Sequence, residues 1–361
     1  MTRLAIVLGG HWDVQMGGAQ YQAKCLLDAL AHAPDFETYY LAQAVPAELK
    51  RGHYEIVPFG TPETRTKGLT ALPALYSRLK ALKPDVVYQR CLMPYTGACA
   101  FYSSRNGARF VFHVASDDDV TPLKPGAAMV HKVARMVGEY GVRHADQIIV
   151  QTGDQARKLR ETYGLDAAAL VPNFQPAPTE SPPPRDPKVL RVIWVGNIKA
   201  VKRAELFVDL AERFATRNDV RFVMIGRPGE PARYAALHQK MKSLPNLDYL
   251  GEQPIERVNS EIAASDVLVT TSAYEGFPNT FIQAWLRGVP VVSNGVDPDG
   301  CLTRGGAGLL VGEGEGLVRA IGELHADRVR LAALAKAARE YGFANHLPDK
   351  AERLISLLRK A

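Results

Sequence analysis

Cysteine is scarce. The four residues Cys25, Cys91, Cys99 and Cys301 form no C-x-x-C pair and do not cluster with histidines, which argues against a disulfide framework and a structural zinc site. Long apolar runs are also missing, since none approaches the ~18 residues that cross a bilayer. Residues 1–10 hold one short apolar run leading straight into Gly9-Gly10-His11-Trp12, without the apolar core and small-residue cleavage site of a secretion signal, so a cytosolic chain is expected. No block of like charge stands out. Lys and Arg total 44 against 38 Asp and Glu, and the excess of +6 is spread over both halves rather than gathered into an arm, so no nucleic-acid partner is expected. No G-x-G-x-x-G with a downstream acidic residue follows either first strand, which weighs against a nicotinamide dehydrogenase.

What is present is an ordinary globular composition, 47% hydrophobic and 23% charged, over 361 residues. That length suits two domains better than one, because single cores stop growing beyond ~250 to 300 residues. Apolar runs at residues 3–8, 85–88, 109–114 and 147–151 alternate with helical patterns at 72–82, 95–104 and 129–140. The alternation predicts a parallel sheet covered on both faces. A proline-rich stretch then interrupts the pattern, and strands at 189–195, 220–225, 247–250, 266–271 and 289–293 resume with helices between them. The reading is α/β, with two Rossmann-like doubly wound parallel-sheet domains facing a cleft. The first covers 1–175, a proline-rich linker 176–187 and the second 188–349, with helix 350–361 placed to pack back on the first domain.

The chemistry concentrates in Ser272-Ala273-Tyr274-Glu275-Gly276-Phe277-Pro278-Asn279-Thr280-Phe281 and the residues after it. A Val- and Thr-rich strand ends, a loop carries one carboxylate, and Pro278 stands where a first helical residue would, its missing N–H costing nothing there. The amides of Asn279, Thr280 and Phe281 are then expected to project from the helix start as an anion site. Lys202, in the loop after the strand that ends at Gly196, lies at the same sheet edge, so a diphosphate fits between the two.

This segment resembles the signature of retaining glycosyltransferases of the GT-B fold, in particular the large family-four group. That signature has Glu-Gly-Phe, a short spacer, Glu-Ala, and a Gly-x-Pro-Val-Val strand. The resemblance implies that Glu275 contacts the donor sugar, that the backbone from Phe277 through Pro278 and Asn279 to Thr280 holds the diphosphate, and that Gly276 belongs to the donor-binding set. It also implies that the residue eight positions after Glu275 binds the ribose. That residue is Gln283, where the family has Glu. An amide still bonds vicinal hydroxyls but loses the charge-assisted bond. Gly196 to Lys202 is similar to the family's donor-phosphate loop, with Lys202 in place and Asn197 where an arginine usually clamps phosphate. Lys199 and Arg203 are candidates to replace that clamp.

The same resemblance places Gly18 in a first-domain glycine turn and His113 beside the reacting sugar, and gives Arg227 and Leu250 to the nucleotide base. His113 reads equally as a hydrogen-bonded core histidine. Asp117-Asp118-Asp119 reads as a polar loop rather than a metal site, so no metal and no cofactor is expected; the nucleotide sugar is a substrate. The implied reaction is metal-independent hexosyl transfer with retention, in which Lys202 and the helix start stabilise the leaving diphosphate. The implied acceptor is a glycan or lipid-linked saccharide, in polysaccharide biosynthesis. A non-catalytic sugar-nucleotide-binding protein and a GT-B-fold epimerase are the alternatives. Residues 124–144 set Lys132, Arg135, Arg143 and His144 among Met129, Val130, Val133 and Met136, which reads either as a solvated helix face or as a peripheral contact with the inner membrane surface.

Overall fold

The structure is a computed structural model. It describes residues 1–14, 16–48, 52–61, 66, 68–123, 126–228, 231–312 and 314–360, apart from the side chains of 231 and 233. Lys124, at the start of the basic segment, lies outside the described residues. The chain divides into two compact units, Met1–Phe174 with Pro348–Ala361, and Gln175–Leu347.

The first unit runs β1 (Thr2–Val7), α1 (Gly18–Leu30), β2 (Phe36–Ala42), β3 (Glu55–Pro58), α2 (Leu72–Leu82), β4 (Val86–Arg90), α3 (Pro94–Asn106), β5 (Arg109–His113), α4 (Met129–Arg143), β6 (Gln147–Val150), α5 (Gly153–Tyr163) and β7 (Ala169–Leu170). Its strands lie in the order β3-β2-β1-β4-β5-β6-β7 and pair in parallel. Central strands read as unbroken apolar runs because helices cover both faces: Leu4, Ala5, Ile6 and Val7 of β1 are all inaccessible to solvent. Strands β2 and β3 have no counterpart in the sequence reading; β2 opens with Phe36-Glu37-Thr38 and lacks a clean aliphatic run.

The second unit runs β8 (Leu190–Val195), α6 (Ala204–Arg213), β9 (Val220–Ile225), α7 (Pro231–Ser243), β10 (Leu247–Tyr249), α8 (Ile255–Ala263), β11 (Val267–Thr270), α9 (Asn279–Trp285), β12 (Val291–Ser293), β13 (Gly308–Leu310), α10 (Gly316–Ala326) and α11 (Arg328–Asn345). The strand order is β10-β9-β8-β11-β12-β13, again parallel. The unit closes on two helices, α10 and α11, rather than one. Asp327 separates them, its carboxylate accepting the Arg330 amide at 2.8 Å as the cap of α11.

Residues 171–189, rich in proline, hold neither helix nor strand. The last helix, α12 (Ala351–Leu358), belongs to the first unit. Arg109 of β5 donates to the Leu357 carbonyl at 2.7 Å, and Arg359 and Lys360 pair with Asp35 and Asp85 at 2.8 and 2.6 Å.

Each sheet reverses its winding at its first strand, between β1 and β4 in one unit and between β8 and β11 in the other. Such a switch point leaves a crevice beyond the carboxyl ends of the two strands, where ligands of doubly wound folds bind.

Candidate active site

In the second unit the loops at the switch point are tied to each other. After β8, the chain makes a 3-10 turn at Ala200–Lys202, and the Lys202 carbonyl accepts the Thr271 hydroxyl at 2.7 Å. From the loop after β11, Ala273 donates its amide to the Val201 carbonyl at 2.8 Å. These bonds bring Lys202 and Glu275 face to face, and the ammonium pairs with Glu275 Oε1. Ser272 donates its hydroxyl to the same oxygen at 2.7 Å, fixing the carboxylate from the strand side. A cation and a carboxylate thus converge across the switch point, both partly shielded from water, where their interactions with a charged ligand are stronger than at an open surface.

The loops after β8, β9 and β10 form the adjoining wall. Gly226 sits at φ +152°, and a Cβ there would lie 1.7 Å from the Gly196 carbonyl oxygen, so only glycine lets the loops after β8 and β9 close on each other. Ile198 donates to the Arg227 carbonyl at 3.0 Å, and Gly226 to the Gly251 carbonyl at 2.8 Å. The Leu250 carbonyl accepts Gln253 Nε2 at 2.5 Å. Gly196, Asn197, Arg227 and Leu250 therefore share one rim beside Lys202. Arg203 turns from this rim: its guanidinium donates to the Thr271 carbonyl at 2.8 Å and to Asn294 Oδ1 at 3.2 Å. It braces the loop after β8 against those after β11 and β12; Lys199 is exposed.

Helix α9 differs in detail from the sequence reading. Pro278 is its N-cap, not its first helical residue, with φ −67° and ψ 121°, and Asn279 opens the helix. The Phe281 amide does not project freely, because it donates to the Pro278 carbonyl at 3.1 Å in a tight first turn. The Asn279 carbonyl accepts Gln175 Nε2 at 2.9 Å. Gly276 is partly exposed, and Phe277 is buried 6.1 Å from the Trp285 ring, so the loop is anchored by its aromatic side chain. Gln283 is buried on α9, its amide nitrogen donating to Asn259 Oδ1 on α8 at 2.9 Å.

Gly18 and His113 belong to the first unit. Gly18 opens α1, after Gly17 as an extended N-cap, at the carboxyl edge of β1. His113 ends β5 and is buried, with Nδ1 2.7 Å from the Tyr88 hydroxyl and the Val171 backbone in hydrogen-bond reach of the ring. Burial, reinforced by the nearby Arg90 guanidinium, pushes its pKa well below the ordinary 6.5, so the ring is neutral. Among the described residues no group of three His, Cys, Asp or Glu side chains stands close enough to hold a metal ion. Asp119 is buried and accepts the amides of Leu92, Ala115 and Ser116 at 2.9, 2.8 and 3.1 Å, and Asp117 pairs with Lys158 at 2.5 Å; both organise the loop after β5.

Sequence reasoning passed over Ser272, Asn259 and Tyr88. Ser272 stands three residues before Glu275 and was legible within the motif; Asn259 and Tyr88 lie 24 and 25 residues from the groups they bond, where no local pattern points to them.

The family model described as "Glycosyl transferases group 1" matches residues 190–327, and that described as "Glycosyl transferase 4-like domain" matches 19–173. Among curated proteins, the chain is 28% identical over 252 residues to a D-inositol 3-phosphate glycosyltransferase of Rhodococcus erythropolis, covering 63% of this chain and 57% of the relative. It is 27% identical over 208 residues to the lipopolysaccharide core biosynthesis mannosyltransferase LpsB of Rhizobium meliloti, covering 53% and 59%. The chain spans about half the length of the curated relatives it matches. Its fold is similar to that of sucrose-phosphate synthase from Thermosynechococcus elongatus, with TM-score 0.81 at 19% identity over 100% of this chain and 99% of that one. Anabaena HepE, solved with UDP-glucose, gives TM-score 0.75 at 18% identity over 99% of each chain. Two parallel-sheet units, each matched by a glycosyltransferase family model, with the signature at the second unit's switch point, place this chain among the group 1 glycosyltransferases.

Proposed function

We propose that this protein transfers a hexosyl group from a nucleoside diphosphate sugar to a hydroxyl of a glycan, glycolipid or lipid-linked saccharide, with retention at the anomeric carbon and without a metal ion. The observation that carries this reading is the convergence of Lys202 and Glu275 across the β8/β11 switch point. In the reaction the acceptor hydroxyl attacks the anomeric carbon on the face the diphosphate leaves. The new C–O bond forms as the old one breaks, and the hydroxyl proton passes to the departing phosphate oxygen. Charge grows on the diphosphate, so an ammonium beside it favours the transition state over the bound donor. The positive end of α9 adds to this field.

Glu275 occupies the lysine. Donor binding exchanges that partner: the ammonium goes to the diphosphate and the carboxylate to sugar hydroxyls, with Ser272 keeping it in place. Gln283 meets the ribose as an amide, and Arg227 and Leu250 flank the base. In the first unit, His113 is the residue that the family resemblance gives to the sugar. The names of the relatives support donor-dependent glycosyl transfer, and the HepE complexes make UDP-glucose the first donor to try. The engagement of Gln283 by Asn259 favours one alternative, a protein that binds sugar nucleotides without turnover.

The test is thermal stabilisation across a panel of nucleotide sugars, with magnesium and with EDTA, followed by release of nucleoside diphosphate and anomer analysis of the product. A donor at 100-fold its dissociation constant should stabilise the chain by ~2.7 kcal/mol. The same stabilisation and transfer in EDTA, with an axial-to-axial or equatorial-to-equatorial outcome, are expected; dependence on magnesium, inversion, or binding without turnover on every acceptor would refute it.

A further inference from the structure

Helix α4 is mounted inside out. A surface helix ordinarily buries its large apolar residues and shows polar ones. On α4 the buried set is Ala134, Gly138, Gly141 and Val142. The outward set is Met129, Val133, Met136 and Tyr140, exposed by 72%, 39%, 68% and 40%. Their spacing of four, three and four residues puts them on one stripe. Local looseness does not account for this. A Cβ on Gly141 would lie 2.3 Å from the Thr96 backbone, and one on Gly97 2.3 Å from the Val137 carbonyl, so α3 and α4 touch backbone to backbone and the helix is held in this rotation.

The stripe continues onto neighbouring helices. Phe101 of α3 is also exposed, and an apolar cleft of about 470 Å³ opens between α2, α3 and α4, with Tyr76, Phe101, Met136 and Tyr140 in its walls. Charge on these helices is one-sided. They carry Arg78, Lys80, Arg105, Lys132, Arg135 and Arg143 against a single acid, Glu139, and Arg135 neutralises that acid at 2.7 Å. Over the whole chain the ratio is 44 to 38, so these three helices are far more one-sided than the chain at large. Arg78, Lys80, Arg105, Lys132 and Arg143 are exposed.

We propose that this α2–α3–α4 face rests in the headgroup layer of an anionic bilayer, with the α4 stripe and Phe101 in the acyl boundary and the cations on lipid phosphates. An anionic membrane surface supplies at once the hydrocarbon that the stripe needs and the negative charge that the surrounding cations need. Tyrosine is suited to the boundary between them, and lysine and arginine reach the phosphates along their apolar stems. Among the described residues no helix is long and apolar enough to cross a membrane, so the contact is peripheral.

The test is flotation of the full chain with phosphatidylcholine vesicles and with vesicles containing phosphatidylglycerol, in low and high salt. Binding to phosphatidylglycerol vesicles alone, weakened by salt, is expected. Met136→Glu should abolish it, and Lys132→Ala should weaken it about fivefold, the effect of one cation near an anionic surface. Val329→Glu, at an exposed valine of the second unit, should float as the parent does, and all three should melt at the parent temperature. Absence of flotation, or flotation untouched by Met136→Glu, would overturn the proposal. So would a concentration-dependent dimer that Met136→Glu dissolves and vesicles do not bind, since the stripe would then cover a second copy. Vesicle binding is read without donor or acceptor, so its failure and that of the transfer reading are separate results.

Discussion

Replacing Lys202 with alanine separates a structural lysine from a donor-binding one. Lys202 pairs with Glu275, and the two side chains are 27% and 18% exposed. Exposed pairs contribute ~0–1 kcal/mol, whereas breaking a buried pair costs ~3–5 kcal/mol. This pair lies between those limits, and Glu275 keeps the 2.7 Å bond from Ser272 when the ammonium is gone. The stability cost should therefore be only about 1 kcal/mol, or ~2–4 °C in melting temperature for a unit of this size. Donor binding loses more. A hydrogen bond from a charged group in a partly shielded site contributes ~1.5–3 kcal/mol, which is roughly a ten- to hundredfold rise in donor Kd. Calorimetric titration with the most stabilising nucleotide sugar, beside a thermal melt, reads both numbers on one sample. A variant that melts several degrees lower yet binds donor with the parent affinity would refute the reasoning, because the lysine would then serve Glu275 alone.

Glu275→Ala should fold and lose transfer by at least a hundredfold in kcat/KM, measured by nucleoside diphosphate release; full activity would remove Glu275 from the site. Gly226→Ala must place a methyl group against the Gly196 carbonyl at a backbone angle alanine avoids, so urea unfolding should show a loss of more than about 3 kcal/mol. His113 is held neutral in the fold while the unfolded chain protonates it near 6.5, so its contribution is complete above that pH and is lost as pH falls toward the lower folded value. The unfolding free energy should fall by up to ~1.4 kcal/mol per pH unit below 6.5, and less steeply in His113→Asn; equal slopes would contradict this. Gln283→Glu, with the Asn259 amide turned to donate, should raise affinity for a nucleoside diphosphate sugar over its 2′-deoxy counterpart about threefold or more, measured by competition.

The parallel sheets were legible because buried strands such as β11, Val267-Leu268-Val269, are written as aliphatic runs, and the second unit's signature was legible because its residues are contiguous. Strand β2 and the edge strand β3 were not: β2 opens on Phe36-Glu37-Thr38 and continues with two tyrosines, and β3 spans only four residues, so periodicity cannot sort them. The Lys202–Glu275 contact joins residues 73 positions apart, and alternation alone gives their shared sheet edge but not their contact. What sequence misplaced at α9 was one residue of register: Pro278 accepts the Phe281 amide as a cap, a choice made by the tight turn and not by proline's preference for the first helical position. The outward apolar stripe of α4 was visible as a mixture of methionines and cations. Its orientation was not, because it depends on Gly97, Gly138 and Gly141 letting two helices close, and such glycines read in sequence only as weak helix formers.

A crystal structure of the chain with the nucleotide sugar that stabilises it most bears most directly on the site. The lysine at position 202 should be found within hydrogen-bond distance of a diphosphate oxygen, with the 275 carboxylate transferred to sugar hydroxyls. A nucleotide bound elsewhere, with the ammonium still on its carboxylate partner, would contradict the account.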